Sequence, residues 1–244
     1  MSSFTTSINI SGQPFPILSG NSMLSNLLPT YASLLSTCPI HISLASLNIS
    51  PNLPTSAVVM YLDLAQGSGA ARINIATTDK DFDRSWRIKV TQITCDATSK
   101  APPNCLQYYT EYSGIVSSFN YQNTDGVHQL GGQRYTICIR AREGFCGIKY
   151  IADENEFSLS DDGTEATADA PKSGDTDCTL DFLVIPSMDK DGKVTLKDRF
   201  CGNGFDDLIT YSKPFEIRVV TEDDEPTTDI NNRGFSMRYT QIPC

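Results

Sequence analysis

The chain closes on Arg233-Gly-Phe-Ser-Met-Arg-Tyr-Thr-Gln-Ile-Pro-Cys244. An earlier stretch, Arg84-Ser-Trp-Arg-Ile-Lys-Val-Thr-Gln-Ile-Thr-Cys95, reads as a second copy of it. Five of the twelve positions are identical, and Trp/Phe, Ile/Met and Lys/Arg are near-equivalent pairs among the rest. In both copies a bulky apolar residue falls on every second position: Trp86, Ile88 and Val90 in one, Phe235, Met237 and Tyr239 in the other. That is the period of a half-buried strand. The strands before them also correspond, Ile73-Asn-Ile-Ala-Thr-Thr-Asp79 with Ile217-Arg-Val-Val-Thr-Glu-Asp223. Self-similarity of this kind bears on unit count before any motif does. It predicts two related units, each ending in a strand closed by cysteine.

Working outward from Cys244, the second unit runs back to about Cys105. Tyr135, Ile137 and Ile139 alternate with Thr136, Cys138 and Arg140, and Phe215, Ile217 and Val219 with Glu216, Arg218 and Val220. Short alternating strands between Gly, Asp and Pro turns predict an all-β fold, an antiparallel β-sandwich. The first unit, 50–95, keeps only the final part of the pattern. Residues 96–104, with Pro102-Pro103, form a short connector, and residues 1–49 match nothing. Met23, Leu24, Leu27, Leu28, Tyr31, Leu34 and Leu35 follow helical spacing, but Pro29 interrupts them and argues against a helix.

Composition narrows the function. The 244 residues carry 19 basic and 29 acidic side chains, a net charge of −10, which argues against a nucleic-acid partner. The apolar share is 39%, enough to bury a core, and no apolar run is long enough for a membrane span. The acidity concentrates in 153–177 and in Glu222-Asp-Asp-Glu225, runs that serve as solvated loops or as a cation site. No charged residue precedes Asp63, and no recognisable signal peptide opens the chain. The expectation is that a leader has been removed or that the natural start lies elsewhere.

The eight cysteines, Cys38, Cys95, Cys105, Cys138, Cys146, Cys178, Cys201 and Cys244, include no C-x-x-C pair. An even number outside metal spacing favours a disulfide framework and an oxidising, extracellular compartment. The sequons at Asn9 and Asn48 fit a secreted glycoprotein. Strand geometry suggests pairs. Cys138 and Cys146 flank the turn Ala141-Arg-Glu-Gly144 and would face each other across a hairpin; Cys178 and Cys201 bracket a second strand pair. Cys105 and Cys244 would tie first strand to last, leaving Cys38 with Cys95.

These strands, taken in order, resemble a CUB domain, an extracellular β-sandwich of jelly-roll type. Gly114-Ile-Val-Ser-Ser-Phe-Asn-Tyr121, Tyr135-Thr-Ile-Cys-Ile-Arg140, Phe157-Ser-Leu159, Cys178-Thr-Leu-Asp-Phe-Leu-Val-Ile185 and Arg199-Phe-Cys-Gly202 each resemble a family segment, as do the last two strands. The resemblance covers 105–244; the first unit then resembles a degenerate or truncated CUB. One departure stands out. The family usually has a cysteine where Tyr135 stands, paired with one near the domain start.

The resemblance implies a non-catalytic binding module that recognises an extracellular protein partner through its loops. It also implies a calcium site, with no other cofactor required. The ligands would be an acid after the Phe-x-Leu strand, the Asp of Cys-x-x-Asp, and an acid after the penultimate strand. These fall on Asp161, Asp181 and Glu222, with Asp223 as the alternative to the last. A second acidic stretch, Ser187–Asp198, matches part of a calcium loop, but its Asp191-Gly192 reads better as a hairpin turn. No Gly-x-Ser-x-Gly, His-Glu-x-x-His or phosphate loop is present, and neither His41 nor His128 has an obvious catalytic partner. Two rivals stay open. Tyr108, Tyr109 and Tyr112 could stack a glycan, or the chain could be the accessory fragment of a secreted protease.

Overall fold

In the computed structural model the described residues are 97–123, 128–159, 171–195, 197–223 and 232–244, with the strand backbones of the earlier part of the chain. The chain divides into two compact units, Met1–Pro103 and Asn104–Cys244.

The first unit is described by six strands. β1 (Phe4–Ser11) pairs antiparallel with β5 (Ala70–Thr77). A four-stranded sheet runs β2 (Leu18–Asn21), β6 (Ser85–Ile93), β3 (His41–Ala45), β4 (Val59–Asp63). Residues 1–49, to which the sequence assigned no element, thus supply three strands, and β6 is the Trp86–Val90 repeat strand. The helix-spaced segment from Met23 to Leu35 lies outside the described residues, as do Cys38 and Cys95.

The second unit is two layers. One contains β7 (Cys105–Tyr109), β9 (Arg134–Ile139), β16 (Phe215–Val220), β13 (Phe182–Val184) and β14 (Arg199–Asn203) in that order, with the short β12 (Lys172–Ser173) also on β14. The other contains β8 (Ser113–Ser117), β17 (Gly234–Pro243), β10 (Phe145–Ile151) and β15 (Leu208–Thr210). β11 (Phe157–Leu159) pairs with both β14 and β17 and joins the layers. The alternation read from sequence holds. Ile137, Ile217, Phe235 and Met237 are fully buried, and with Phe157, Leu159 and Leu183 they fill the space between the sheets. One pairing departs from the antiparallel expectation: β7 runs parallel to β9.

Three disulfides staple this unit. Cys178–Cys201 forms as read from the strand pair that it brackets. The other two expected pairs do not form. Cys105 bonds Cys138, and Cys146 bonds Cys244. Cys138 and Cys146 cannot meet because the chain does not fold back on itself at residues 141–144. β9 joins β16 and β7 in one layer, whereas β10 crosses to pair with β17 and β15 in the other. Each cysteine therefore finds a partner within its own layer.

Candidate functional site

Three connections, β8–β9, β12–β13 and β16–β17, meet at the end of the sandwich where β13 and β17 begin and β16 ends. Asp181 sits at their centre. It lies on the turn before β13, and the Cys178–Cys201 bridge, both sulfurs fully buried, anchors that turn to β14. The Asp181 carboxylate is itself fully buried. Oδ1 accepts the backbone N–H of Glu222 at 2.8 Å, and Oδ2 accepts Nδ2 of Asn232 at 2.7 Å. One buried carboxylate thus fastens both flanks of the loop that separates β16 from β17. A buried charge is tolerable only with such partners, because desolvation without them is costly.

Neighbouring bonds extend the frame. Buried Thr221 accepts the N–H of Gln133 on Oγ1 at 2.8 Å, and the same hydroxyl donates to the carbonyl of Leu130 at 2.9 Å. The Asn232 carbonyl accepts the N–H of Gln129 at 2.8 Å. Ser118 Oγ accepts the N–H of Phe235 at 3.1 Å. Next to it, Gly234 has φ +88°, and a β-carbon there would stand 2.1 Å from Ser118 Oγ. The loop edge is therefore rigidly framed from beneath, while Glu222 and Asp223 are at least partly exposed on its rim.

Of the three expected calcium ligands, Asp181 is buried and Glu222 is half-buried. Glu222 meets Asp181 through its backbone N–H, and Asp161 lies outside the described residues. Among the described residues no group of three or more acidic, histidine or cysteine side chains has metal-binding spacing. Asn232 and Thr221 carried no sequence signal: each is an ordinary polar residue in a loop, and only the fold shows that it is buried.

Other candidates resolve differently. In the 187–198 stretch Asp189 Oδ1 accepts the N–H groups of Asp191 at 3.0 Å and Lys193 at 2.8 Å, with Gly192 at φ +83°. This is the hairpin turn that its Asp-Gly pair predicts. The His128 carbonyl takes a bond from Asn120 Nδ2. Of the three tyrosines, Tyr108 and Tyr109 are half-buried. Tyr109 packs edge-on against buried Tyr239, with its hydroxyl on Gln107, while Tyr112 is exposed.

The family model for the animal CUB domain matches residues 102–242, more than half of the chain. The chain belongs to the CUB domain family. Tyr135 remains a departure, but Cys138, three residues beyond it, bonds Cys105 at the domain start. A solved structure, the CUB1-EGF-CUB2 domain of human MASP-1/3, is similar at 14% identity and a TM-score of 0.38, over 99% of this chain and 93% of that one. No curated protein matched the chain. CUB domains are generally extracellular, non-catalytic modules of protein interaction. Among the described residues no helix is long and apolar enough to cross a membrane.

Proposed function

We propose that this chain is a secreted recognition protein that grips a protein partner through the loop end built on Asp181. The observation that carries the reading is the buried Asp181 carboxylate holding Glu222 and Asn232 in place. A preorganised rim of acidic groups lowers the ordering cost of binding and favours a basic partner segment. Calcium fits this reading in donor chemistry. Asp181 supplies a carboxylate, the hard oxygen donor that calcium takes, and Glu222 and Asp161 would add two more. A bound calcium would supply charge that orders those loops. The first unit belongs to the proposal as a degenerate CUB.

The test is binding of the intact chain to an array of extracellular proteins, with and without calcium, repeated with Glu222→Gln and Asp223→Asn. The expected result is a partner whose binding weakens in the double variant and as salt rises. A partner bound equally by both forms in all conditions would overturn the assignment of this loop end. Displacement by a simple sugar would favour the glycan reading instead.

A further inference from the structure

A second surface uses none of these residues. We propose that a cleft beside β15 captures an extended peptide segment of a partner protein by strand addition, with one apolar side chain seated in the cleft. The cleft has a volume of about 400 Å³ and lies between the β12–β14 edge, the 204–209 segment, and Ser187, Thr195 and Lys197. Its apolar lining includes Phe200 and Phe205, with ring centroids 5.4 Å apart. Phe205 is backed in turn by buried Phe157, at 5.2 Å.

The hydrogen-bond directions at β15 follow from the register. Gln241 donates its N–H toward β8, to the Tyr112 carbonyl at 2.8 Å, so alternation turns Thr240 toward β10. Thr240 is opposite Lys149, which therefore spends its backbone groups on β17, while Ile148 and Tyr150 turn to Thr210 and Leu208 of β15. Ile209, opposite Lys149, then points its N–H and C=O away from β10. Tyr211 N–H points the same way and reaches the Met188 carbonyl at 2.8 Å. β15 ends its sheet, and among the described residues no strand continues from it. Ile209 lines the cleft, so a donor and an acceptor stand side by side at its mouth. A peptide backbone is the ligand whose own N–H and C=O match that spacing.

Side chains narrow the segment further. Ile209 is 49% exposed, and Val194 on the adjoining hairpin is 65% exposed. Lys172 on β12 and Lys197 beside the hairpin line two walls of the cleft, and Asp206 and Asp207 line the third. Lys149 holds Asp207 at 2.7 Å, whereas Asp206 is exposed. A complementary segment carries an apolar anchor flanked by one acidic and one basic residue.

The experiment is selection of a displayed random-decapeptide library on the full oxidised chain, with affinities of the enriched peptides then measured on variants. Ile209→Pro removes the outward N–H together with the exposed isoleucine side chain, at an edge position where proline is tolerated; Ile209→Ala, which removes the side chain and keeps the N–H, is its control. The paired exposed change Lys197→Glu with Asp206→Lys leaves the backbone intact and covers the case in which the proline variant fails to fold. The expected peptides share an apolar anchor between opposite charges. They lose about tenfold or more in affinity on Ile209→Pro relative to Ile209→Ala, the scale of one or two hydrogen bonds. On the charge-swapped chain, peptides with reversed flanks bind better. Failure to enrich any peptide that distinguishes the parent chain from both the proline and the charge-swapped variants would overturn the proposal. So would enriched peptides that depend on Glu222 and Asp223, or that a simple sugar displaces.

Discussion

Asp181 and Gly234 define what the loop end tolerates. Asp181→Ala removes the acceptor from two donors at a fully buried site, so it is expected to cost roughly 2–4 kcal/mol in urea unfolding, since bonds to a charged acceptor are the stronger kind. Gly234→Ala forces a β-carbon onto Ser118 Oγ in a left-handed backbone, whereas Gly192→Ala, also left-handed, meets nothing within 4 Å. The first change should therefore destabilise by at least about 2 kcal/mol and the second by about 1 kcal/mol, the backbone cost alone. Thermal melts of the two variants in parallel check the difference. Tyrosines make a third test. Burial pushes the Tyr121 and Tyr239 hydroxyls up to about 12, with Glu156 and Glu111 respectively adding repulsion, and it raises fully buried Tyr150 further. Above the ordinary tyrosine value of about 10 the unfolded chain releases protons that the folded domain keeps. Stability is therefore whole below that pH and falls as pH rises toward the folded values. Absorbance at 295 nm followed with near-UV circular dichroism should show Tyr150 ionising only as tertiary signal is lost.

Elements show which features a sequence carries openly. Alternation in Tyr135–Ile139, Phe215–Val219 and Phe235–Tyr239 was legible because each strand buries one face, and burial repeats every second residue. The Cys178–Cys201 bridge was legible because β13 and β14 are near neighbours in sequence and also pair in space. The expected bridge from Cys138 to Cys146 failed for the opposite reason. Closeness in sequence suggested a hairpin, while each strand's burial demands sent β9 and β10 to opposite layers. Nothing local encodes that choice. Asp181 was legible as an acid at a family position, but its partners Asn232 and Thr221 were not, because a buried polar residue has the same letter as an exposed one. The observed pairing gives its own forecast. Replacing both Cys146 and Cys244 with serine opens a loop of 98 residues, and removing Cys178–Cys201 opens one of 23. If chain entropy dominates, the losses are about 4.7 and about 3.4 kcal/mol respectively. Non-reducing peptide mapping should recover Cys146 linked to Cys244, and denaturant midpoints should rank the two double variants in that order.

For the whole chain, the decisive property is that residues 104–244 hold a complete core between two layers stapled by their own cysteines. Every disulfide there is internal to the unit, as are the hydrogen bonds that tie Asp181 to Glu222 and Asn232. A domain with its own buried core and its own cross-links needs nothing from its neighbour to fold. Expressed alone in an oxidising compartment, 102–244 should therefore show a single cooperative transition and the near-UV signature of fixed aromatic packing around Phe157, Phe235 and Tyr239. Reduction under native conditions should lower its melting temperature by well over 10 °C, because the three bridges jointly contribute on the order of 10 kcal/mol in the unfolded-state model. A fragment that melts without cooperativity while oxidised would place essential core residues in 1–101. A melting temperature unmoved by reductant would mean that the sheets hold together through apolar burial alone, with the cysteines incidental to stability.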